Sequence, residues 1–302
     1  MAAWLWAASI GASAQNPAQA TPVPDANATQ VPSAQTPTVA NPGAQIPAPK
    51  ETPNNVNTGT GLSLEPYYWL TTLHPSIKQG KNFGQVDPGD FKYPDSAHYA
   101  IGAQISVPAG KNAAVRVSYF QAKKSGFVQS VGANRNLFGV EVTKGDALEA
   151  DYKMEYFKAS YEYLTYYWHR GPSEFRVKTL YEFQRVSFAN NLFDFSPNGD
   201  GTFQLNPATG THSVNLPTLG LGLEQIVSPH FRWDAKFSGM GKPHGPAIGD
   251  AEASIAYRIN HFEVLLTERY MRFKTSPQAK DHFSEATIYG PMVSLRYYWK
   301  KR

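Results

Sequence analysis

Apolar and charged residues alternate along residues 151–185, with one break at residues 171–172. The apolar positions include Phe157 and Tyr161 before the break and Phe175 after it. A period of two predicts two β-strands, each with one apolar and one charged face. Both runs exceed the roughly 4–8 residues that are usual for a half-buried strand of a soluble sheet. They reach the roughly 9–11 residues of a strand that crosses a membrane.

The same alternation recurs from residue 61 onward and predicts about ten strands. Slips in its phase near Tyr156-Phe157 and after Gln184 predict β-bulges. Together these runs predict an all-β fold, a transmembrane antiparallel up-and-down β-barrel of about ten strands. The predicted strands are residues 61–73, 98–107, 113–121, the two runs within 151–185, and residues 212–227, 231–238, 248–259, 262–274 and 287–299.

Short and long connections alternate between these strands, as they do in bacterial barrels, where the short turns are periplasmic. This arrangement predicts that both ends of the chain lie in the periplasm. The short connections are residues 108–112, 169–172, 228–230 and 260–261, and the long ones are 74–96, 124–147, 190–211, 239–247 and 276–286.

Composition narrows the alternatives. The mean hydropathy is −0.42, and no apolar run approaches the roughly 20 residues of a membrane-spanning helix, which excludes a helical membrane protein. Absence of Cys excludes disulfides, thiol catalysis, Cys-ligated metals and a lipid anchor on Cys. A net charge of +4 without a basic run gives no indication of a nucleic-acid partner.

The first sixty residues differ from the rest. Residues 1–14 have an apolar core followed by small residues, which is typical of a signal peptide that lacks its positive start; a short helix is the alternative. Residues 15–60 are rich in Pro, Ala and Gln, and we expect a disordered periplasmic linker. The predicted domains are therefore 1–14, 15–60 and the barrel, 61–302.

Aromatic residues near the predicted periplasmic strand ends share one height and predict a girdle at the membrane interface. A soluble sandwich, the alternative fold, gives no reason for this common height. The girdle residues are Trp168, Trp233, Trp299, Tyr167, Tyr257, Phe262 and Tyr297.

Charged residues of both signs occupy the alternate positions, which would face the lumen. A barrel of about eight strands is filled by its own side chains, so about ten strands predict a narrow lumen crossed by ion pairs. These residues either line a path for small solutes or ions, or form a salt-bridged plug. They are Glu65, Arg116, Lys158, Glu162, Arg176, Lys178, Glu182, Glu224, Arg232, Asp234, Lys236, Asp250, Glu252, Arg258 and Arg296.

Motifs for catalysis or metal binding are weak, so we predict no catalytic residue, no metal and no cofactor. Residues 194–201 faintly resemble a calcium loop but lack its register, which favours a plain turn. The pair His212-Ser213 could suggest a lipid-A deacylase, but a His-Ser dipeptide is common by chance. A protease of the omptin kind would use rim acids and histidines, of which the candidates are Asp87, Asp90, Asp95, His98, His212, His244, Asp281 and His282.

The last predicted strand ends on alternating Val293, Leu295, Tyr297 and Trp299. In this pattern the chain resembles small bacterial outer-membrane β-barrel proteins, which are porin-like, although residues 300–302 follow the final aromatic residue. The resemblance implies a location in the bacterial outer membrane, with membrane lipid and the barrel-assembly machinery as partners and small solutes or ions as possible cargo. A second hypothesis is a surface-binding barrel that uses loop aromatics: Tyr93, Phe127, Phe138, Phe193 and Phe203.

Overall fold

A computed structural model describes residues 61–79, 91–93, 97–128, 131–171, 173–197, 202–243, 245–275 and 282–299. All of them belong to one unit of the chain, Thr52–Arg302. The predicted signal peptide and linker lie outside these residues. Within the described part of the chain, no helix is long and apolar enough to cross a membrane.

The described residues form β-strands that follow one another along the chain in antiparallel pairs. The strands are β1 (Ser63–Leu70), β2 (Thr72–Gln79), β3 (Phe91–Lys92), β4 (Tyr99–Pro108), β5 (Ala113–Val128), β6 (Arg135–Leu137), β7 (Val140–Val142), β8 (Ala147–Arg170), β9 (Ser173–Pro197), β10 (Phe203–Ile226), β11 (Phe231–Gly241), β12 (Ala247–Ile259), β13 (Phe262–Lys274) and β14 (His282–Tyr298).

The wall of the closed barrel consists of ten strands, when β1 and β2 are counted as one. Strands β1 and β2 together make one wall strand, because both pair with β14. The order around the wall is β1/β2, β4, β5, β8, β9, β10, β11, β12, β13 and β14, and the β1–β14 pairing closes the ring. The structure thus confirms the predicted ten-stranded antiparallel barrel. Its two ends are named here the short-turn end and the long-loop end.

The break between β1 and β2 lies at Thr71, opposite Gly290 of β14. The Trp69 indole N–H donates a 2.8 Å hydrogen bond to the Gly290 carbonyl oxygen. Gly290 has a φ of 141°, and a Cβ atom there would lie 2.2 Å from the Leu70 carbonyl oxygen. Only glycine fits such a close approach of two backbones.

Several strands are longer than the sequence pattern predicts. Strands β8, β9 and β10 have 24, 25 and 24 residues, whereas β11, β12 and β13 have 11, 13 and 13. Most of the predicted loop 190–211 is therefore strand, and the predicted loop 124–147 contains the extra hairpin β6–β7. The wall is taller on one side than on the other.

The β8–β9 register shifts between Leu164 and Tyr166. The bulges predicted near Tyr156-Phe157 and after Gln184 are wrong, since the register is continuous through both positions. What changes there is the polarity of the two faces. Towards the long-loop end the inner face becomes apolar and the outer face polar, which imitates a slip of one residue.

Large apolar side chains cover the outer face of the barrel over the part nearer the short-turn end. Phe157, Tyr161 and Phe237 are 36, 42 and 51% exposed, and Phe175 is half-buried on the same face. A soluble sandwich would gather these rings into a shared interior. Their outward orientation gives the apolar belt of a transmembrane barrel.

Candidate functional site

The inner face near the short-turn end is covered by charged side chains. The structure places all fifteen of the predicted lumen residues there; Asp234, Lys236 and Glu252 are half-buried and the others are buried. The buried ones are Glu65, Arg116, Lys158, Glu162, Arg176, Lys178, Glu182, Glu224, Arg232, Asp250, Arg258 and Arg296.

Glu224 of β10 pairs with three cations. Its oxygens lie 2.8 Å from Lys178 Nζ, 2.7 Å from Arg232 Nη1 and 3.5 Å from Arg176 Nη1. The Glu224 side chain is 1% exposed, so these cations replace the water that burial removes. A buried carboxylate is stable only where such partners surround it.

A second group of charges crosses from β5 and β8 to β11. Glu162 lies 3.1 Å from Arg116 Nε and 2.8 Å from Lys236 Nζ. Glu182 is hydrogen-bonded by neutral groups: its Oε2 accepts hydrogen bonds from the Gln184 amide at 2.8 Å and the Thr218 hydroxyl at 3.4 Å. The ion pairs therefore join strands across the lumen rather than only along the wall.

Strand β13 adds two charged residues that the sequence analysis missed. Glu263 lies 2.7 Å from Arg232 Nε and 3.0 Å from Arg296 Nη1, and Arg296 reaches Glu65 at 2.6 Å. The inner face of β13 also carries apolar residues, so its charge alternation is incomplete. Glu263 and Arg269 are six residues apart, so a period of two places both on the same face of β13; this spacing was the signal that could have identified them.

Arg269 lies where the charged part of the lumen ends. Its guanidinium group is 2.9 Å from Asp250 Oδ2. The rings of Trp69, Phe120 and Tyr156 surround the same group, with centroids 5.1, 5.4 and 5.2 Å from its Cζ atom. Arg269 also lies 3.2 Å from Glu252 Oε1, so two carboxylates and three aromatic rings hold its guanidinium group.

Beyond Arg269 the interior is mainly aromatic and aliphatic, which the sequence analysis did not predict. Tyr93 packs edge-on against Tyr152 and Phe188, with centroids 5.0 and 6.1 Å away. The Tyr93 hydroxyl donates a hydrogen bond to Asn190 Oδ1. Burial raises the pKa of the Tyr93 hydroxyl well above its usual range, which keeps the proton for this bond.

The hairpin β6–β7 closes the long-loop end. It contacts β2 on one side and β10 on the other, and these strands lie on opposite sides of the wall. Leu137 and Val142 are fully buried in the apolar interior. The Phe138 ring lies against Gly210, where a Cβ atom would be 1.9 Å from the ring. The hairpin therefore caps the lumen.

The cavities between the lumen charges are small. One lies near Lys158 and Glu182 and has a volume of about 10 Å³; another lies near Glu65 and Arg296 and has a volume of about 20 Å³. Each has room for about one water molecule. A third cavity, beside Glu162, Arg176 and Lys178, has a volume of about 40 Å³. These three cavities among the described lumen charges have room for one to a few water molecules.

The predicted aromatic girdle is placed mostly on the outer face near the short-turn end. Trp299 stacks edge-on with Tyr297 at 5.1 Å, and Phe262 lies 5.2 Å from Tyr297. Trp168 and Tyr257 are 46 and 54% exposed on this face, and Trp233 is half-buried there.

Tyr167 does not lie on the outer face as the predicted girdle requires. It pairs with Arg176, whose side chain points into the lumen, and cross-strand partners share a face. The irregularity at Leu164/Tyr166 therefore moves Tyr167 to the inner face, at the mouth of the barrel.

The rim residues do not form a catalytic arrangement in the part of the chain that the structure describes. His212 lies on the inner face against Phe138, with centroids 5.9 Å apart, whereas Ser213 is exposed on the outer face. Neighbouring strand residues point to opposite faces, so this pair does not act together. His98 precedes β4, on another side of the wall. The other rim candidates lie outside the described residues or, for His282, have a side chain that is not described.

The predicted surface aromatics are only partly at the surface. Tyr93 is 9% exposed and belongs to the apolar interior, and Phe138 packs against that interior. Phe193 is half-buried on the outer face of β9. The side chains of Phe127 and Phe203 are not among those described.

The calcium-like stretch begins at Asp194, which is fully buried on the inner face. Its Oδ2 accepts hydrogen bonds from Ser196 at 2.5 Å and Asn206 at 3.5 Å. Residues 198–201 lie outside the described residues. Among the residues that the structure describes, no group of three or more His, Asp or Glu side chains could hold a metal ion.

No protein-family model matches the sequence. A search of curated proteins likewise found no relative.

Solved structures give only remote likenesses. The outer membrane protease OmpT from Escherichia coli is 11% identical, with a TM-score of 0.49 over 80% of this chain and 98% of that chain. Ail of Yersinia pestis, in complex with the heparin analogue sucrose octasulfate, is 9% identical, with a TM-score of 0.30 over 79 and 99%. The toluene transporter TodX of Pseudomonas putida is 10% identical, with a TM-score of 0.31 over 80 and 91%. Similarity at this level says nothing about activity. The chain resembles small bacterial outer-membrane β-barrel proteins and forms a closed ten-stranded barrel.

Proposed function

We propose that this chain is an integral outer-membrane protein whose barrel is an anchor for surface display and binding, not a path for solutes. The observation that carries the proposal is the filled lumen. Ion pairs such as Glu224 with Lys178 and Arg232 occupy one half, aromatic rings the other, and the hairpin β6–β7 covers the end. The plug interpretation of the lumen charges is thereby favoured over porin-like passage.

The tall side of the wall supports a role outside the membrane. A membrane strand needs roughly 9–11 residues, and β8, β9 and β10 have about twice that number. The excess extends by roughly 40 Å along the strands, at about 3.3 Å per residue. Its outer face carries small polar residues such as Ser187, Thr209 and Ser213 rather than the apolar belt. We propose that this extension faces the aqueous exterior and that the short-turn end faces the periplasm.

Electrical recording tests the closed lumen. Purified protein, refolded into planar bilayers, should give no stepwise current at moderate voltage, while unboiled samples migrate anomalously on a gel and so report a folded barrel. Stepwise currents from a sample that passes this gel test would favour porin-like passage and remove the proposal.

A rim-sited hydrolase is the weaker alternative. His212 and Ser213 point to opposite faces, so the geometry offers no support for the deacylase hypothesis. Alanine substitution of His98 and His212 should leave peptide and lipid-A turnover at background. Turnover by the wild-type chain that these substitutions abolish would favour the enzyme instead.

A further inference from the structure

The outer wall carries a cluster of basic residues directly above the apolar belt. Lys123 of β5 lies directly opposite Lys153 of β8, and both side chains are exposed on the outer face. Arg185 is exposed on the same face of β9, opposite Phe157; it lies four residues, about 13 Å along the strand, from Ala189, which is the partner of Lys153. Like charges placed directly opposite each other destabilise a sheet unless an anion lies between them.

The charge of this cluster is only partly balanced by the protein. Lys153 Nζ lies 2.8 Å from Glu155 Oε1. Among the described residues, Lys123 and Arg185 contact no carboxylate. The cluster of three cations and Glu155 therefore has a net charge of about +2 on a face that the belt brings next to lipid.

A cavity of about 540 Å³ opens beside this pair of lysines, at the first residue of β4, beyond which β5 and β8 extend further towards the long-loop end. This volume lies within the roughly 300–1,000 Å³ of ordinary ligand sites. It offers cations together with one carboxylate and one amide, which suits a ligand with both phosphate and hydroxyl groups. The lining includes His98, Lys123, Lys124, Asp151, Lys153 and Asn191.

The position of the cluster along the barrel axis, relative to the apolar belt, indicates which kind of ligand it meets. On β5, β8 and β9 the next outward apolar residues towards the short-turn end are Tyr119, Phe157 and Phe183, which are 44, 36 and 45% exposed. The cations thus lie at the edge of the belt, where lipid head groups begin. We propose that the surface formed by Lys123, Lys153 and Arg185 with the adjacent cavity binds the phosphorylated sugar head group of an outer-leaflet glycolipid. This inference rests on the proposed membrane location and long-loop-outward orientation.

The test compares two variants with the same change of charge. One is Lys123→Gln/Lys153→Gln/Arg185→Gln; the control is Lys111→Gln/Lys144→Gln/Lys242→Gln, whose lysines are exposed elsewhere. Each protein is folded into vesicles of phosphatidylcholine alone, with bisphosphorylated lipid A, or with dephosphorylated lipid A, and its thermal unfolding midpoint is measured. A ligand that binds the folded state raises this midpoint.

Phosphorylated lipid A should raise the midpoint of the wild type and the control, and the rise should be lost in the first variant. Dephosphorylated lipid A should give a smaller rise than the phosphorylated form. An equal rise in the first variant, an equal rise with both lipids, or no rise in the wild type would each overturn the inference. Failure of the wild type to fold into any of the vesicles, judged by gel migration without heating, would instead overturn the proposed membrane location.

Discussion

Towards the short-turn end the barrel interior is filled with ion pairs, whereas towards the long-loop end it is filled with aromatic and aliphatic side chains. The outer face changes in the opposite sense, from apolar belt to polar extension. In lipid, the apolar side chains must face outward and the polar ones are left to fill the lumen. In water the ordinary arrangement of a soluble protein returns, with apolar residues inside. One continuous strand such as β8 therefore obeys two opposite rules along its length.

The largest expected effect comes from the residue between the two halves. Arg269→Leu would leave Asp250 with the Lys158 ammonium and the Tyr156 hydroxyl, and would remove a guanidinium group from Glu252 and from three aromatic rings. Breaking a buried ion pair on one side costs about 3–5 kcal/mol of unfolding free energy. The measurement is the urea midpoint in vesicles. Arg272→Leu is the control, because that exposed arginine pairs with Glu285 at the surface and such pairs contribute about 0–1 kcal/mol. Equal losses in both variants would contradict a special role for the junction.

A pair of leucines compares the two faces of the wall. Leu148→Ala removes a fully buried side chain from the long-loop half, and core truncations of this kind cost about 2–5 kcal/mol. Leu219→Ala removes one that is 64% exposed on the apolar belt, so its loss should be smaller when measured by the same unfolding titration. A larger loss of unfolding free energy at Leu219 would show that the apolar interior of the long-loop half is loosely packed.

Lysine substitutions along β9 test where the rule changes. Tyr181→Lys places a charge on the lipid face of the belt, which costs about 2–4 kcal/mol near the membrane centre. Ser187→Lys, six residues further on the same face, should cost about 0–1 kcal/mol because that position lies at or beyond the interface. Similar costs at both positions, from unfolding in vesicles, would place the membrane boundary elsewhere.

The smallest expected effect concerns Glu268, an exposed charge within the belt. It lies opposite Ala253 and Pro291, roughly 15 Å along the barrel axis from Phe262 if strands tilt by about 40°. Glu268→Leu should stabilise the barrel by about 1 kcal/mol, since a carboxylate is unfavourable next to lipid. Glu149→Leu, on the outer face of β8 beyond the belt, is the control and should change little. Destabilisation by Glu268→Leu would indicate that a protein, not lipid, covers this face.

The sequence was informative where lipid imposes strict alternation. Strand β13 has the predicted bounds, and the fifteen predicted lumen residues lie on the inner face. The half nearer the long-loop end was not predictable in the same way. There the polarity of the two faces reverses at Tyr156-Phe157, and in the sequence such a reversal has the same pattern as a β-bulge. Glu263 and Arg269 were missed because apolar residues interrupt the charges of β13. The capping hairpin was missed because strands of three residues carry no measurable period.

The pairing of β1 with β14 also sets the order of events during assembly. The bond between Arg296 Nε and Glu65 Oε2 joins residues 231 positions apart, so it cannot form until synthesis has passed Arg296. Contacts at such separation form slowly. An unclosed, curved sheet would present these unmatched charges to hydrocarbon, which is strongly unfavourable. Closure of the barrel and its insertion into the membrane must therefore be nearly simultaneous. Any intermediate in which β1 and β14 are not yet paired has to stay in water or bound to another protein.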